Sequence, residues 1–183
     1  MKVFVLAFVV LTACRPASDV PATANSRSVP DGENPAVLVA ALDSAALATM
    51  ELRRGEWKEA DASSTWRAWV SNGKIRAIEE FMSVGDYSAR RLMHYYTDHE
   101  RVAAHTETRD QLMLSGDRPP VRETVTLKLE FSGESATKSL KTVNGVATSV
   151  EPFEAETARK HGEVLLALAK NAAVVAPTPI SKP

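Results

Sequence analysis

The spacing of hydrophobic residues changes twice along the chain. Between residues 34 and 55, apolar side chains recur at i, i+3 and i+4, the period of a helix that buries one face. Asn34 suits the cap of this helix, Pro35 its first position and Gly55 its end. The apolar stripe consists of Val37, Leu38, Ala41, Leu42, Ala45 and Ala46. The pattern predicts an N-terminal helix.

A second helical pattern begins at Pro152 and ends near Asn171. Acidic side chains occupy its first turn and Lys170 its last, as the helix dipole favours. The candidates for its buried face are Ala158, Leu165, Leu168 and Ala169.

Between the two helices the period is two, which is typical of strands. Residues 65–70 and 74–82 flank Asn72-Gly73, the dipeptide that best fits a tight hairpin turn. Residues 87–96 and 101–109 flank Asp98-His99, and a further hairpin is predicted around Asn144-Gly145.

The cleanest strand is 122–131. Apolar Val125, Leu127, Leu129 and Phe131 alternate with polar Thr124, Thr126, Lys128 and Glu130. Such alternation indicates one buried and one solvated sheet face. The whole pattern predicts an α+β fold: an antiparallel β-meander of about six strands flanked by an N-terminal and a C-terminal helix.

The first fourteen residues have a different character. Lys2 precedes the uninterrupted apolar run Val3 to Leu11, the layout of a secretory signal. This run is shorter than the roughly 20 residues that a membrane span needs. Leu11-Thr12-Ala13-Cys14 follows, and Cys14 is the only cysteine.

Leu11-Thr12-Ala13-Cys14 resembles the lipobox of bacterial lipoproteins at every position. The resemblance implies cleavage before Cys14 and its lipidation, so that acyl chains hold the protein on a membrane. Arg15 stands where such lipoproteins carry Asp when they stay in the inner membrane. The resemblance therefore implies the periplasmic face of the outer membrane.

These features divide the chain into four predicted parts. Residues 1–13 form the signal peptide, and 14–34 form the lipidated cysteine with a flexible tether that is poor in large apolar side chains. Residues 35–173 form one α+β domain, and the proline-containing tail 174–183 is expected to be disordered.

Charge and cysteine content narrow the classes of function. Removing Lys2 with the signal peptide leaves the 23 Asp and Glu in slight excess, which argues against a nucleic-acid partner. With no cysteine after Cys14, the domain depends on an apolar core rather than on disulfides. No cofactor is predicted.

Residues 66–76 and 93–102 share an order of aromatic strand, polar turn, basic residue and β-branched residue. Over roughly residues 65–109 the chain resembles the aromatic, Asn-Gly-Lys meanders of small uncharacterised bacterial envelope proteins. The resemblance implies a fold and no particular function.

Two-residue turns would divide the side chains of this meander between two faces. One face would carry Trp69, Ile78, Met82, Ala89, Met93, Tyr95, Val102 and Ala104, and would lie under the helices. The other would form a candidate binding surface of Arg90, His94, Tyr96, Arg101, His105 and Glu107, alongside Ile75, Phe81 and Leu92. A one-residue slip would exchange the two sets.

His94 and His105 would be diagonal neighbours on this second face, so a metal pair or an acid–base pair is conceivable. No third ligand has convincing spacing, and we favour two half-exposed strand histidines. His161 lies in the second helix with no companion, and we expect a surface residue or one whose polar atoms are satisfied. No catalytic or metal-binding residue is therefore assigned.

The aromatic residues give the remaining indication of function. Core packing accounts for most of Trp57, Trp66, Trp69, Tyr87, Tyr95 and Tyr96, but Arg67, Arg76, Arg90, Arg91 and Arg101 interleave with them. Aromatic and arginine side chains anchor protein interfaces.

We therefore expect a lipid-anchored periplasmic binding protein without catalytic activity, with a periplasmic protein as partner. An inhibitor or immunity protein against a cell-wall-active enzyme fits this description. The alternatives are a structural or assembly factor of the envelope and a hydrolase using His94 and His105.

Overall fold

The computed structural model describes residues 34–115 and 118–173. The predicted signal peptide 1–13, Cys14, the tether as far as residue 33 and the tail 174–183 lie outside the described residues.

Eight antiparallel strands follow one another in chain order in one sheet. They are β1 (Glu51–Glu59), β2 (Ala62–Ser71), β3 (Lys74–Val84), β4 (Ser88–Tyr96), β5 (Val102–Ser115), β6 (Arg118–Ser132), β7 (Ser135–Val143) and β8 (Val146–Thr148). The helices are α1 (Pro35–Ala41), α2 (Ser44–Leu47) and α3 (Pro152–Asn171). The predicted α+β class and antiparallel sheet are confirmed, but the sheet has eight strands rather than about six.

The predicted helix between residues 34 and 55 is wrong in its second half. Leu42 leaves the helical conformation and Asp43 caps α2, so the apolar stripe is divided between two short helices. Residues 51–59 then form β1, which pairs with β2 along its whole length. Gly55 is required there because a Cβ atom would collide with the Trp66 indole, and not because it ends a helix.

The turns explain the registers of the central strands. Asn72 and Gly73 both have positive φ, as the predicted tight hairpin requires. A β-bulge follows at Trp69/Val70, and another lies at Tyr95/Tyr96. Each bulge shifts the pairing and moves the subsequent side chains to the other face. For this reason Ile78 lies on the face opposite Trp69, contrary to the predicted grouping.

The helices cover both faces of the sheet. α3 packs on one face, over a core that includes Trp66, Ile78 and Leu129. α1 and α2 pack on the opposite face, where Leu38 and Leu42 meet Ala77 and Ala103. The expectation that both terminal helices lie on one face is therefore wrong. Within the described segments, no helix is long and apolar enough to cross a membrane.

Candidate functional site

The candidate binding surface lies largely beneath α3. His94 and Tyr96 on β4 and His105 on β5 are completely buried, and Glu107 is 7% exposed. The expectation that this face is solvated is wrong, because α3 covers it. Arg101 precedes β5 and is exposed, and Arg90 on β4 is partly exposed.

His94 and His105 face each other directly across β4 and β5, rather than diagonally. The turn between the strands is longer than two residues, and the bulge at Tyr95/Tyr96 adds to the shift. The ring centroids are 4.6 Å apart. None of the four ring nitrogens has a hydrogen-bond partner. The prediction of half-exposed histidines is wrong.

His161 extends the pair from α3, with its ring centroid 5.7 Å from that of His94. Its Nε2 lies 2.5 Å from Glu80 Oε2 on β3, so the prediction that it has no companion is wrong. Glu80 also accepts hydrogen bonds from Trp57 Nε1 at 2.8 Å and Ser64 Oγ at 2.5 Å. Burial by itself would raise the pKa of Glu80, but His161, Ser64 and Trp57 outweigh it and the pKa is lowered.

A second carboxylate lies at the other side of the pair. Glu107 Oε1 is 3.2 Å from Arg109 Nε and 3.9 Å from the nearest Arg90 nitrogen. Its Oε2 is 3.6 Å from His105 Nε2, beyond hydrogen-bond distance. Burial opposes ionisation of Glu107, but the neighbouring His105, Arg109 and Arg90 prevail and lower its pKa. Both buried carboxylates are thus held in the charged form.

Tyr96 fastens α3 to this cluster by donating a hydrogen bond from its hydroxyl to the Gly162 carbonyl, at 2.8 Å. Burial raises the pKa of Tyr96 well above its ordinary value, so the hydroxyl keeps its proton. Five titratable side chains, His94, His105, His161, Glu80 and Glu107, therefore lie together at the interface between sheet and helix. We call them the histidine cluster.

The chemistry open to the histidine cluster is limited. Among residues 34–115 and 118–173, no group of three His, Cys, Asp or Glu side chains is arranged to hold a metal ion. His94 and His105 are completely buried, and a general base needs its substrate within hydrogen-bond reach. The cluster joins α3 to the sheet through the contact of His161 with Glu80.

The opposite side of the sheet contains the exposed side chains that sequence reasoning did not place together. Beyond α1, the strands β1 to β4 carry a surface that no described helix covers; its members are Arg54, Glu56, Lys58, Thr65, Arg67, Glu79, Phe81 and Arg91. We call this surface the uncovered face. Alternation along each strand puts them on the side of Trp69 and Met93, which pack under α1 and α2.

Glu79 organises the uncovered face. It is bound by Arg67 from β2 and by Arg91 Nε from β4 at 2.8 Å, and it is nearly buried between them. The Arg91 guanidinium lies 5.6 Å from the centroid of the Phe81 ring, and that of Arg67 lies 5.2 Å from the Trp69 ring. The side chains of Arg67 and Arg91 remain 45% and 67% exposed.

Two hollows share Phe81 and Thr65 in their linings and have volumes of about 570 and 560 Å³. One extends toward Lys58 and the other toward Arg54 and Arg67. Phe81 itself is 45% exposed. The uncovered face is therefore a shallow, arginine-rich surface with an accessible aromatic ring at its centre.

The chain has no match among protein-family models, curated proteins or solved structures.

Proposed function

We propose that the protein is a lipid-anchored periplasmic binding protein without catalytic activity, and that it holds a protein partner on the uncovered face. The anchor is Cys14, within a segment that matches a lipobox at Leu11, Thr12, Ala13 and Cys14. Its location is the periplasmic face of the outer membrane.

The observation that carries the binding proposal is the combination of exposed arginines with Phe81. Arginine and aromatic side chains supply much of the binding energy of protein interfaces. Cross-strand contacts hold Arg67 and Arg91 in place through Glu79, so little side-chain entropy remains to be lost on binding. A surface preformed in this way lowers the cost of binding a partner.

The partner that fits is a protein with an acidic surface. The exposed charges near Phe81 are mainly cationic, because Arg54, Lys58, Arg67 and Arg91 are exposed against the exposed Glu56, while the carboxylate of Glu79 is 3% exposed. An acidic patch on the partner would complement the positive electrostatic potential of the uncovered face and accelerate association. An inhibitor or immunity protein against a cell-wall-active enzyme meets the description, and so does an envelope assembly factor.

The hydrolase alternative has less support. It requires a substrate beside His94 and His105, and both side chains are completely buried under α3.

The test is to capture the partner from its native envelope with the full chain and its variants. Lys58→Glu and Phe81→Ala alter the uncovered face and leave the pair of arginines on Glu79 intact. Lys160→Glu is the control, because Lys160 is a 62% exposed cation on α3. We expect each uncovered-face variant to lose most of the partner and the control to retain it. Equal capture by all three would contradict the proposal.

A further inference from the structure

The histidine cluster occupies the middle of the interface between α3 and the sheet. His161 and Gly162 lie near the middle of α3, against His94. α3 is also held by its buried apolar side chains, among them Leu165 and Leu166, and by polar contacts: Lys141 to Glu154 at 2.7 Å, Arg53 to the Ala169 carbonyl at 3.3 Å and Lys170 to Glu100 at 2.6 Å. By contrast, β4 and β5 are held by continuous backbone ladders.

The closed interface accommodates His94 only as a neutral ring. Its nitrogens have no partner, and the carboxylates within the cluster are already bound by other groups. Glu80 is shared by His161, Ser64 and Trp57. Glu107 is held by Arg90 and Arg109. A proton on His94 would place a buried cation on a ring whose nitrogens have no partner, which is strongly unfavourable.

The charged and titratable groups around the pair come from every element that packs on it. They are Glu80 on β3, Arg90 on β4, Glu107 and Arg109 on β5, and Arg159, His161 and Glu163 on α3. Glu107 is paired with Arg90 and Arg109, and Glu80 is engaged by Trp57, Ser64 and His161. Water would stabilise the charge of a proton added to His94 most directly. Water can reach the ring only if α3 moves away.

We propose that the histidine cluster is an acid-responsive latch: uptake of a proton by His94 releases α3 from the sheet and exposes the apolar face beneath it. The strands keep their backbone hydrogen bonds, so the sheet stays folded when α3 is released. This device is independent of partner binding on the uncovered face.

The direction of the pH dependence follows from linkage. Burial, and then the neighbouring His105 and His161, lower the pKa of His94 well below the ordinary 6.5. Once α3 is released, His94 is solvated and binds a proton below that ordinary value. The closed state is therefore fully favoured above pH 6.5 and loses stability as the pH falls through 6.5.

The test measures the distance between α3 and the sheet by electron paramagnetic resonance. Spin labels are attached to Val164→Cys and Lys128→Cys in the full chain carrying Cys14→Ser. Both labelled positions are exposed, one on α3 and one on the opposite face of the sheet. We expect one short distance at neutral pH, and a second, longer distance that grows as the pH falls below 6.5. Far-UV circular dichroism should retain the strand signal.

His94→Gln removes the titrating ring and should move the opening midpoint to lower pH by on the order of one unit. His99→Gln is the matched control, since His99 is exposed in the turn before β5. If His94→Gln does not fold, the distances in the wild-type sequence between neutral pH and pH 5 decide alone. An unchanged distance down to pH 5, an unchanged midpoint in His94→Gln, or loss of strands together with the helix would overturn the proposal.

Discussion

Gly162 of α3 lies directly against His94 of β4: a Cβ atom at position 162 would be 2.6 Å from His94 Nδ1 and 2.9 Å from a methyl carbon of Val102. Glycine is usually unfavourable inside a helix, by about 1 kcal/mol relative to alanine. Here its missing side chain lets α3 approach the buried histidine and accept the hydrogen bond from Tyr96. The helix is thus seated by a close backbone contact.

Gly162→Ala tests this contact. The added methyl group overpacks the interface, at a cost of about 1–3 kcal/mol, which exceeds the gain in helix propensity of about 1 kcal/mol. We expect a lower urea midpoint. Val164→Ala, at a 56% exposed position of the same helix, should leave the midpoint nearly unchanged. A more stable Gly162→Ala protein would show that α3 does not approach His94 this closely.

Leu127 and Lys128 are neighbours on β6 that occupy opposite faces, as the alternation of residues 122–131 predicts. Leu127 is 3% exposed and Lys128 is exposed. Leu127→Ala should cost about 2–5 kcal/mol because it leaves a cavity. Lys128→Ala should change stability by roughly 0.5 kcal/mol or less. Urea titration of the two variants measures the difference, and equal midpoints would contradict the strand assignment.

Glu80 should make the domain sensitive to strong acid. Its pKa is lowered from the ordinary 4.5, so the stability it contributes is present above that value and is lost as the pH falls through its folded value. Glu80→Gln keeps an oxygen acceptor for Trp57 and Ser64 but removes the charge. We expect its urea midpoint to fall less steeply than the wild type below pH 4.5. The exposed Glu134→Gln is the control and should retain the wild-type slope.

Cys14 should be the sole membrane attachment. Cys14→Ser removes the acceptor for acyl chains, and two such chains are enough for stable anchoring. We expect the wild type in the detergent phase of a Triton X-114 partition and the variant in the aqueous phase. Ser18→Ala serves as the control, because it leaves Cys14 in place and should remain in the detergent phase. Retention of Cys14→Ser in the detergent phase would contradict the anchor.

Local signals explain which parts of the fold were predictable. Asn72-Gly73 specifies its turn through backbone conformation, and β6 specifies its faces through alternation. β1 escaped prediction because its sequence, Glu51 to Glu59, is mostly charged and becomes a strand only by pairing with β2. The number of strands was underestimated for this reason.

The candidate site was predictable only in part. Alternation along β4 and β5 correctly grouped His94, Tyr96, His105 and Glu107 on one face. Their burial could not be inferred, because it depends on the packing of α3, and His161 meets Glu80 across 81 residues of sequence. Two bulges also changed the registers, and nothing in the local sequence marks them.

The central claim is that the uncovered face, and not the face under α3, meets the partner. Site-specific photo-crosslinking in the native envelope tests it most directly, with the photoreactive residue placed at Thr65 beside Phe81 or at Lys160 on α3. We predict one discrete adduct from position 65, abolished by Lys58→Glu, and none from position 160. The absence of an adduct from position 65, or the same adduct from both positions, would contradict the account.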